Sequence, residues 1–181
     1  TQSKSSAASD VYKRQIRGSV AVVTGAASGM GRATAHLFGD EGARVALLDV
    51  NNAALEKVQE EMNGEGYDSK AWRIDLLDGL TIKKVFSEIS EHFGGIDILI
   101  NNAGISRFAP IDNDDYEIAW HESIAVLLTA HTLTVRAALP HLRKAENPRI
   151  VNIASTEGLG ATRYGSPYTA AKTGVIGLTR S

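Results

Sequence analysis

The 181-residue chain has no cysteine. That absence excludes disulfides, zinc–thiolate sites and cysteine nucleophiles, and it leaves the redox compartment open. It also has no basic run, and its net charge is −2, which argues against nucleic acid as a main partner. No uninterrupted apolar run approaches the ~20 residues of a membrane helix, so no membrane partner is expected. The first residues lack the apolar core of a secretory signal. Five histidines, His36, His92, His121, His131 and His141, have no two spaced four apart, and there is no H-E-x-x-H. They read as surface or helix-packing residues, and no metal site is expected. Repeats and low-complexity segments are missing too. What is present is a hydrophobic content of 43%, enough for a buried core, in a length that suits one α/β domain.

Residues 5–15 (SSAASDVYKRQ) read as the in-frame translation of a transposon-based sequencing-library adapter. Residues 1–15 are therefore set apart as a non-native tail, and the domain is taken as 16–181. At the other end the chain stops at Ser181 inside a helical pattern with no cap. The expectation is a piece of a longer protein.

Between these ends, strands and helices alternate. Ser19 to Thr24 is a short β-branched run that reads as a buried strand. A glycine-rich turn follows, then a helix over Arg32 to Glu41. Arg44 to Asp49 reads as a strand, and Asn51 to Met62 as a helix capped by Asn51 or Asn52. Ser69 to Ile74 is a strand, and Asp78 to Phe93 is a helix ending at Gly94-Gly95. Asp97 to Ile100 is a strand. Asp112 to Lys144 is a long helical stretch that Pro140 kinks or shortens. Arg149 to Ala154 is the fifth strand, and Ser166 to Arg180 the last helix, with Ser166 as cap and Pro167 in its first turn. This alternation predicts a Rossmann-like, doubly wound parallel sheet.

Two stretches carry chemistry. In the first, strand, turn and helix meet at Thr24-Gly25-Ala26-Ala27-Ser28-Gly29-Met30-Gly31. Gly25 allows a tight turn, Gly29 lets a pyrophosphate approach the backbone, and Gly31 lets the helix pack close to the strand. The helix N-terminus presents free N–H groups to an anion. Asp49 ends the second strand, where a carboxylate can bind both hydroxyls of a ribose and repel a 2′-phosphate. No Arg or Lys lies in the glycine loop, so NAD is favoured over NADP. In the second stretch, Tyr168 and Lys172 are four apart and share a helix face. A neighbouring ammonium favours phenolate, which suits Tyr168 to acid/base work near neutrality. Ser155, just past the fifth strand, can hold a carbonyl or hydroxyl oxygen.

With these pieces placed, residues 18–181 resemble the short-chain dehydrogenase/reductase family in its single-domain branch. The matching motifs are Thr24-Gly25-x-x-x-Gly29-x-Gly31, Asp75, Asn101-Asn102-Ala103-Gly104, Ser155 and Tyr168-x-x-x-Lys172. The resemblance implies that Thr24 to Gly31, including Ser28 and Met30, bind the pyrophosphate. It places Asp49 on the adenosine ribose and Asp75 on the adenine. Asn101, Ala103 and Gly104 would line the nicotinamide side and steady the central strand. Tyr168 would be the acid/base, Ser155 would orient the substrate oxygen, and Lys172 would bind the nicotinamide ribose. The implied activity is hydride transfer between NAD and a secondary alcohol or ketone, in a cytoplasmic protein that is a homo-oligomer at full length.

Two departures stand out. The family usually has an Asn in the long helix, completing a proton relay, where this chain has Leu127. Its side chain cannot hydrogen-bond, which lets the helix run regularly past this point and leaves only its backbone carbonyl to hold a relay water. The family also continues with two more strands, a cofactor loop and a substrate-covering segment beyond Ser181. A non-catalytic dinucleotide-binding or redox-sensing protein is the alternative reading. Arg107, Glu157 and Arg163 are taken as solvated loop charges, and Trp120 as a core residue.

Overall fold

The computed structural model describes residues 15–181, so the expected non-native tail lies outside the described residues except for Gln15. The chain forms β1 (Val20–Thr24), α1 (Gly29–Asp40), β2 (Arg44–Asp49), α2 (Asn52–Gly64), β3 (Ser69–Arg73), α3 (Gly79–Phe93) and β4 (Ile98–Asn101). It continues through α4 (Tyr116–Ile124), a π-helical turn (Ala125–Thr129), α5 (Ala130–Leu142), β5 (Arg149–Asn152), a 3₁₀ turn (Thr156–Gly158) and α6 (Ser166–Arg180). The five strands are parallel, in the order β3-β2-β1-β4-β5. The chain moves outward from β1 to β3 and then returns to lay β4 on the other side of β1. That reversal opens a crevice at the carboxyl ends of the strands.

Alternate strand residues point to opposite faces and feed two cores. On one face Val20, Val22, Ala46, Leu48 and Leu99 meet Ile82, Val85, Phe86 and Ile89 of α3 and Ala138 and Leu142 of α5. On the other, Ala21, Val23, Val45, Leu47, Ile98 and Ile100 meet Ala35 of α1 and Leu55, Val58 and Met62 of α2. This double burial is why β1, β2 and β4 read as near-continuous apolar runs rather than alternating ones. Side chains fix the helix ends: Asn51 Oδ1 accepts from Ala54 N at 3.2 Å, and Asp78 Oδ1 accepts from Leu80 N at 3.0 Å. Gly94 ends α3 in the left-handed region at φ 82°.

Four expectations are corrected. The long helix does not run regularly past Leu127, because a π-helical turn spans Ala125–Thr129. Ser166 is the first residue of α6 rather than its cap, which is Gly165, and the Ser166 hydroxyl lies 3.0 Å from Tyr116 Oη. Trp120 is 36% exposed and stacks on Tyr116, with ring centroids 6.3 Å apart. Finally, the continuous Tyr116–Leu142 helix is long and apolar enough to cross a membrane by length and composition. A search for uninterrupted runs misses it because polar residues interrupt the pattern. Here it packs against α3, β4, β5 and α6.

Candidate active site

The glycine turn between β1 and α1 forms one wall of a crevice of about 440 Å³. Its lining includes Gly25, Ser28, Gly29, Met30, Asp49, Asp75, Ala103 and Gly104. Gly31 is required by close approach, since a Cβ there would collide with the Gly25 carbonyl and the Asn102 amide. Gly29 sits at φ 53°, and a Cβ on it would project into open space beside the crevice. The opening is therefore bounded by backbone at the N-terminus of α1, an arrangement that suits a phosphate group.

Asp49 lies at the carboxyl end of β2. Its Oδ2 accepts from Ala27 N at 3.0 Å and its Oδ1 from Asn51 N at 2.9 Å. The carboxylate is thus fixed in direction while still lining the crevice. Asp75 is exposed at the same rim and accepts from Leu77 N at 2.9 Å. The nearest guanidinium after the glycine loop, Arg32, bonds Glu61 through Nε at 3.0 Å and Nη2 at 2.6 Å. This pairing holds the Glu61 carboxyl below the usual carboxylate range.

Three sequence-predicted residues sit behind the crevice wall. Thr24 is buried, and its Oγ1 accepts from Asn102 N and Ala103 N, both at 3.0 Å. Its hydroxyl ties β1 to the loop after β4 and does not face the opening. Gly31 is likewise buried in the turn. Asn101 is buried too: its Nδ2 donates to Asn152 Oδ1 at 2.9 Å, and its Oδ1 accepts from Thr134 Oγ1 at 2.7 Å. Asn102 follows Asn101 in the same motif. Its Nδ2 donates to Thr24 O at 2.9 Å and Gly25 O at 3.3 Å, stapling the glycine turn to β4. Only the adjacency of β1 and β4 reveals that duty.

Beyond the π-helical turn, whose Val126 also lines the crevice, α6 carries Tyr168 and Lys172. Lys172 is 4% exposed, and its Nζ donates to Ile153 O at 2.6 Å. Burial pushes its pKa below the usual lysine value. The ammonium lies 5.9 Å from the centre of the Tyr168 ring, and Phe108 stacks on that ring at 6.1 Å. Ser155 is half-buried, three residues past β5, and its Oγ accepts from Glu157 N at 3.2 Å. That bond uses a lone pair and leaves the hydroxyl hydrogen available. The 3₁₀ turn after Ser155 packs tightly on α6: a Cβ on Gly158 would meet the Lys172 carbonyl oxygen at 2.9 Å.

The loop charges have partners. Glu157 accepts from Thr162 N at 2.8 Å, Thr162 Oγ1 at 2.6 Å and Thr169 Oγ1 at 3.1 Å. The hydrogen bonds from Thr162 hold its carboxyl below the usual range. Arg107 pairs with Glu122 at 2.6 Å, and Arg163 lies over the Tyr164 ring at 4.6 Å. Among the described residues no group of three or more His, Asp or Glu is placed to hold a metal. Of the two expectations for His131, surface or helix-packing, the structure gives the second. It is buried, and burial first, then the Lys172 charge, lower its pKa to about 4. No sequence spacing signals this.

Comparison with known proteins gives a consistent picture. The family model described as short chain dehydrogenase matches residues 19–181. The chain is 38% identical over 165 residues to an uncharacterized oxidoreductase, YxjF, of Bacillus subtilis, covering 91% of this chain and 64% of that protein. It is 35% identical over 165 residues to a D-beta-hydroxybutyrate dehydrogenase of Cupriavidus necator, covering 91% and 64%. A D-threitol dehydrogenase of Mycolicibacterium smegmatis is 32% identical over 166 residues, covering 92% and 64%. The crystal structure of a short chain dehydrogenase from Mycobacterium smegmatis superposes with a TM-score of 0.86 at 33% identity, covering 91% of this chain and 70% of that one. The chain spans a little under two thirds of the length of these curated relatives, 64% of each.

Proposed function

Because the chain belongs to the short chain dehydrogenase family, we propose that the protein carrying it transfers hydride between a nicotinamide cofactor and a secondary alcohol or ketone, with NAD preferred to NADP. The observation that carries this reading is the pairing of a buried Lys172 ammonium with the Tyr168 ring on α6, a helix packed on the π-helical turn whose Val126 lines the crevice walled by the glycine turn. The residues fit a dinucleotide. Gly29 leaves open space at the α1 N-terminus, and Asp49 offers a fixed carboxylate at the rim. Arg32, the first guanidinium after the glycine turn, is held by Glu61 rather than free for a 2′-phosphate.

A bound nicotinamide supplies or accepts the hydride. In the reducing direction Tyr168 gives its hydroxyl proton to the substrate oxygen, and in the oxidising direction it takes that proton back. Ser155 donates a hydrogen bond to the same oxygen and fixes its position. Lys172 places a positive charge beside the Tyr168 ring and offers its remaining hydrogens to a ribose hydroxyl. Phe108, stacked on Tyr168, limits the ring's rotation and forms an apolar wall. Two relatives bear the names of hydroxylated small molecules, hydroxybutyrate and threitol, which supports a small polyol or hydroxy-acid class.

The test is nicotinamide absorbance at full length with a panel of secondary alcohols and ketones, alongside NAD binding. Turnover of any panel member supports the reading. Tight NAD binding with no turnover across the panel favours a non-catalytic dinucleotide-binding protein.

A further inference from the structure

We propose, resting on the reading of Ser155 and Tyr168 as the pair that meets the substrate oxygen, that Glu157 is a positioning residue. It clamps the turn bearing Ser155 to the first turn of α6 and so sets the spacing between the two hydroxyls. Ser155 and Tyr168 belong to different elements, with the chain from Thr156 to Pro167 between them. A hydrogen-bonding constellation needs its members held to within ~0.5 Å, which such a length of chain does not ensure. Glu157 joins the pair by both of its ends. Its N–H donates to Ser155 Oγ at 3.2 Å. Its carboxylate accepts at 3.1 Å from Oγ1 of Thr169, the residue after Tyr168. The same carboxylate accepts from Thr162 N at 2.8 Å and Thr162 Oγ1 at 2.6 Å. From there Gly165 N donates to Thr162 O at 2.9 Å, and Thr169 N to Gly165 O at 2.8 Å. The loop is thus closed back onto α6 by main-chain bonds as well.

Gly158 adds a second, independent contact. A Cβ on it would stand 2.6 Å from Ile176 Cδ1 and 2.9 Å from the Lys172 carbonyl oxygen. The 3₁₀ turn therefore meets α6 twice, through Glu157 beside Tyr168 and through Gly158 at Lys172. These contacts lie about one helical turn apart, so the Ser155 turn cannot slide or tilt along α6 without breaking one of them. The far side of the loop is fixed as well. Tyr164 takes a left-handed φ of 67°, and its carbonyl accepts from Ala109 N at 2.9 Å. A non-glycine residue keeps that conformation only where its surroundings impose it. The donors to the Glu157 carboxylate are hydroxyls and a backbone amide, none of them charged. Its contribution is thus one of shape, and an amide of the same outline can reproduce it. A glutamine oxygen can accept from Thr162 N and Thr169 Oγ1, while its NH₂ donates to a reversed Thr162 hydroxyl. An aspartate keeps the charge but is one methylene too short to span both threonines.

The experiment uses the full-length protein and whichever panel substrate it turns over. Glu157→Ala should lower kcat about 10- to 100-fold, the scale of a misplaced reacting group, with KM for NAD unchanged. Glu157→Gln should restore most of that loss, and Glu157→Asp should not. In a Ser155→Ala background, Glu157→Ala should cost little more, because no hydroxyl is left to position. Amide hydrogen exchange supplies a readout apart from turnover. Thr162 N should exchange at least about tenfold faster in Glu157→Ala, while the amides of Val175 to Leu178 keep their protection. Near-normal kcat in a Glu157→Ala protein with a native melt overturns the proposal. So does rescue by Asp and not by Gln, which would make the charge the cause, and so does unchanged exchange at Thr162. If Glu157→Ala does not fold, the comparison of Gln with Asp decides. If no panel substrate turns over, the oxidoreductase reading fails, while exchange at Thr162 still judges the clamp.

Discussion

Tyr168 is the residue on which the proposed chemistry converges, and its removal is the sharpest single test. Tyr168→Phe keeps the ring stacked against Phe108 and leaves the crevice untouched. We expect turnover to fall ~10²–10⁴-fold, the usual contribution of a general acid/base, with NAD affinity retained in calorimetry. Near-normal turnover would place the chemistry elsewhere. At Asp49 a fixed carboxylate faces the crevice, so NAD should bind at least about tenfold more tightly than NADP, ~1.4 kcal/mol. Asp49→Ala should narrow that gap, and equal affinities in the unmutated protein would remove the assignment. His131 gives a pH prediction. Its folded value of about 4 lies below the ordinary 6.5, so the unfolded chain binds the proton more readily between those limits. Stability is fully present above pH 6.5, is lost as pH falls towards 4 and levels off below, an effect on the order of 3 kcal/mol. Denaturant melts at pH 7 and 4.5 should show the loss, and His131→Phe should flatten it. Tyr168, Lys172 and Asp49 were legible in the sequence because their signals are local: one helical turn, or one strand end. The tie that Thr24 and Asn102 make between β1 and the loop after β4 is not legible, because its hydrogen bonds join residues 78 apart.

At the scale of elements, the alternation of β-branched runs and amphipathic helices revealed every strand and most helix ends. The caps Asn51 and Asp78 lie in the same few residues as the turns they close. The π-helical turn was not legible. Leu127 in an apolar stretch carries no mark of a distortion, yet the extra residue forms where the helix must fit against β4 on one side and α6 on the other. Leu127 Cδ2 would stand 3.2 Å from a Cβ on Gly104, so the side chain fills the space behind that loop. The distortion thus stands without an amide at this position. Leu127→Asn should change turnover little across the pH range while costing about 1–3 kcal/mol for an unmatched buried amide. Melting temperatures and pH–rate profiles for both proteins check this, and a several-fold gain at neutral pH without loss of stability would contradict it.

For the molecule as a whole, the strand order decides what is covered and what is open. In the described residues β5 is an edge strand, with Ile150 40% and Val151 44% exposed. An apolar, unpaired edge invites pairing with other chains. We expect the isolated 181-residue chain to self-associate in light scattering at micromolar concentration, and Val151→Lys to reduce that association. A monodisperse monomer would contradict this. The same strand order has a consequence for the order in which the molecule is made. A nascent chain that has emerged only through β3 already holds the glycine turn, Asp49 and Asp75. It lacks the opposite wall, because Asn102, Ala103 and Gly104 arrive only after β4. The hydrogen bonds from Asn102 and Ala103 to Thr24 close a long loop of chain, and such closures come late because their entropy must be overcome first. During synthesis, competence to capture a dinucleotide should therefore switch on as one event, when the segment just past residue 101 docks against β1.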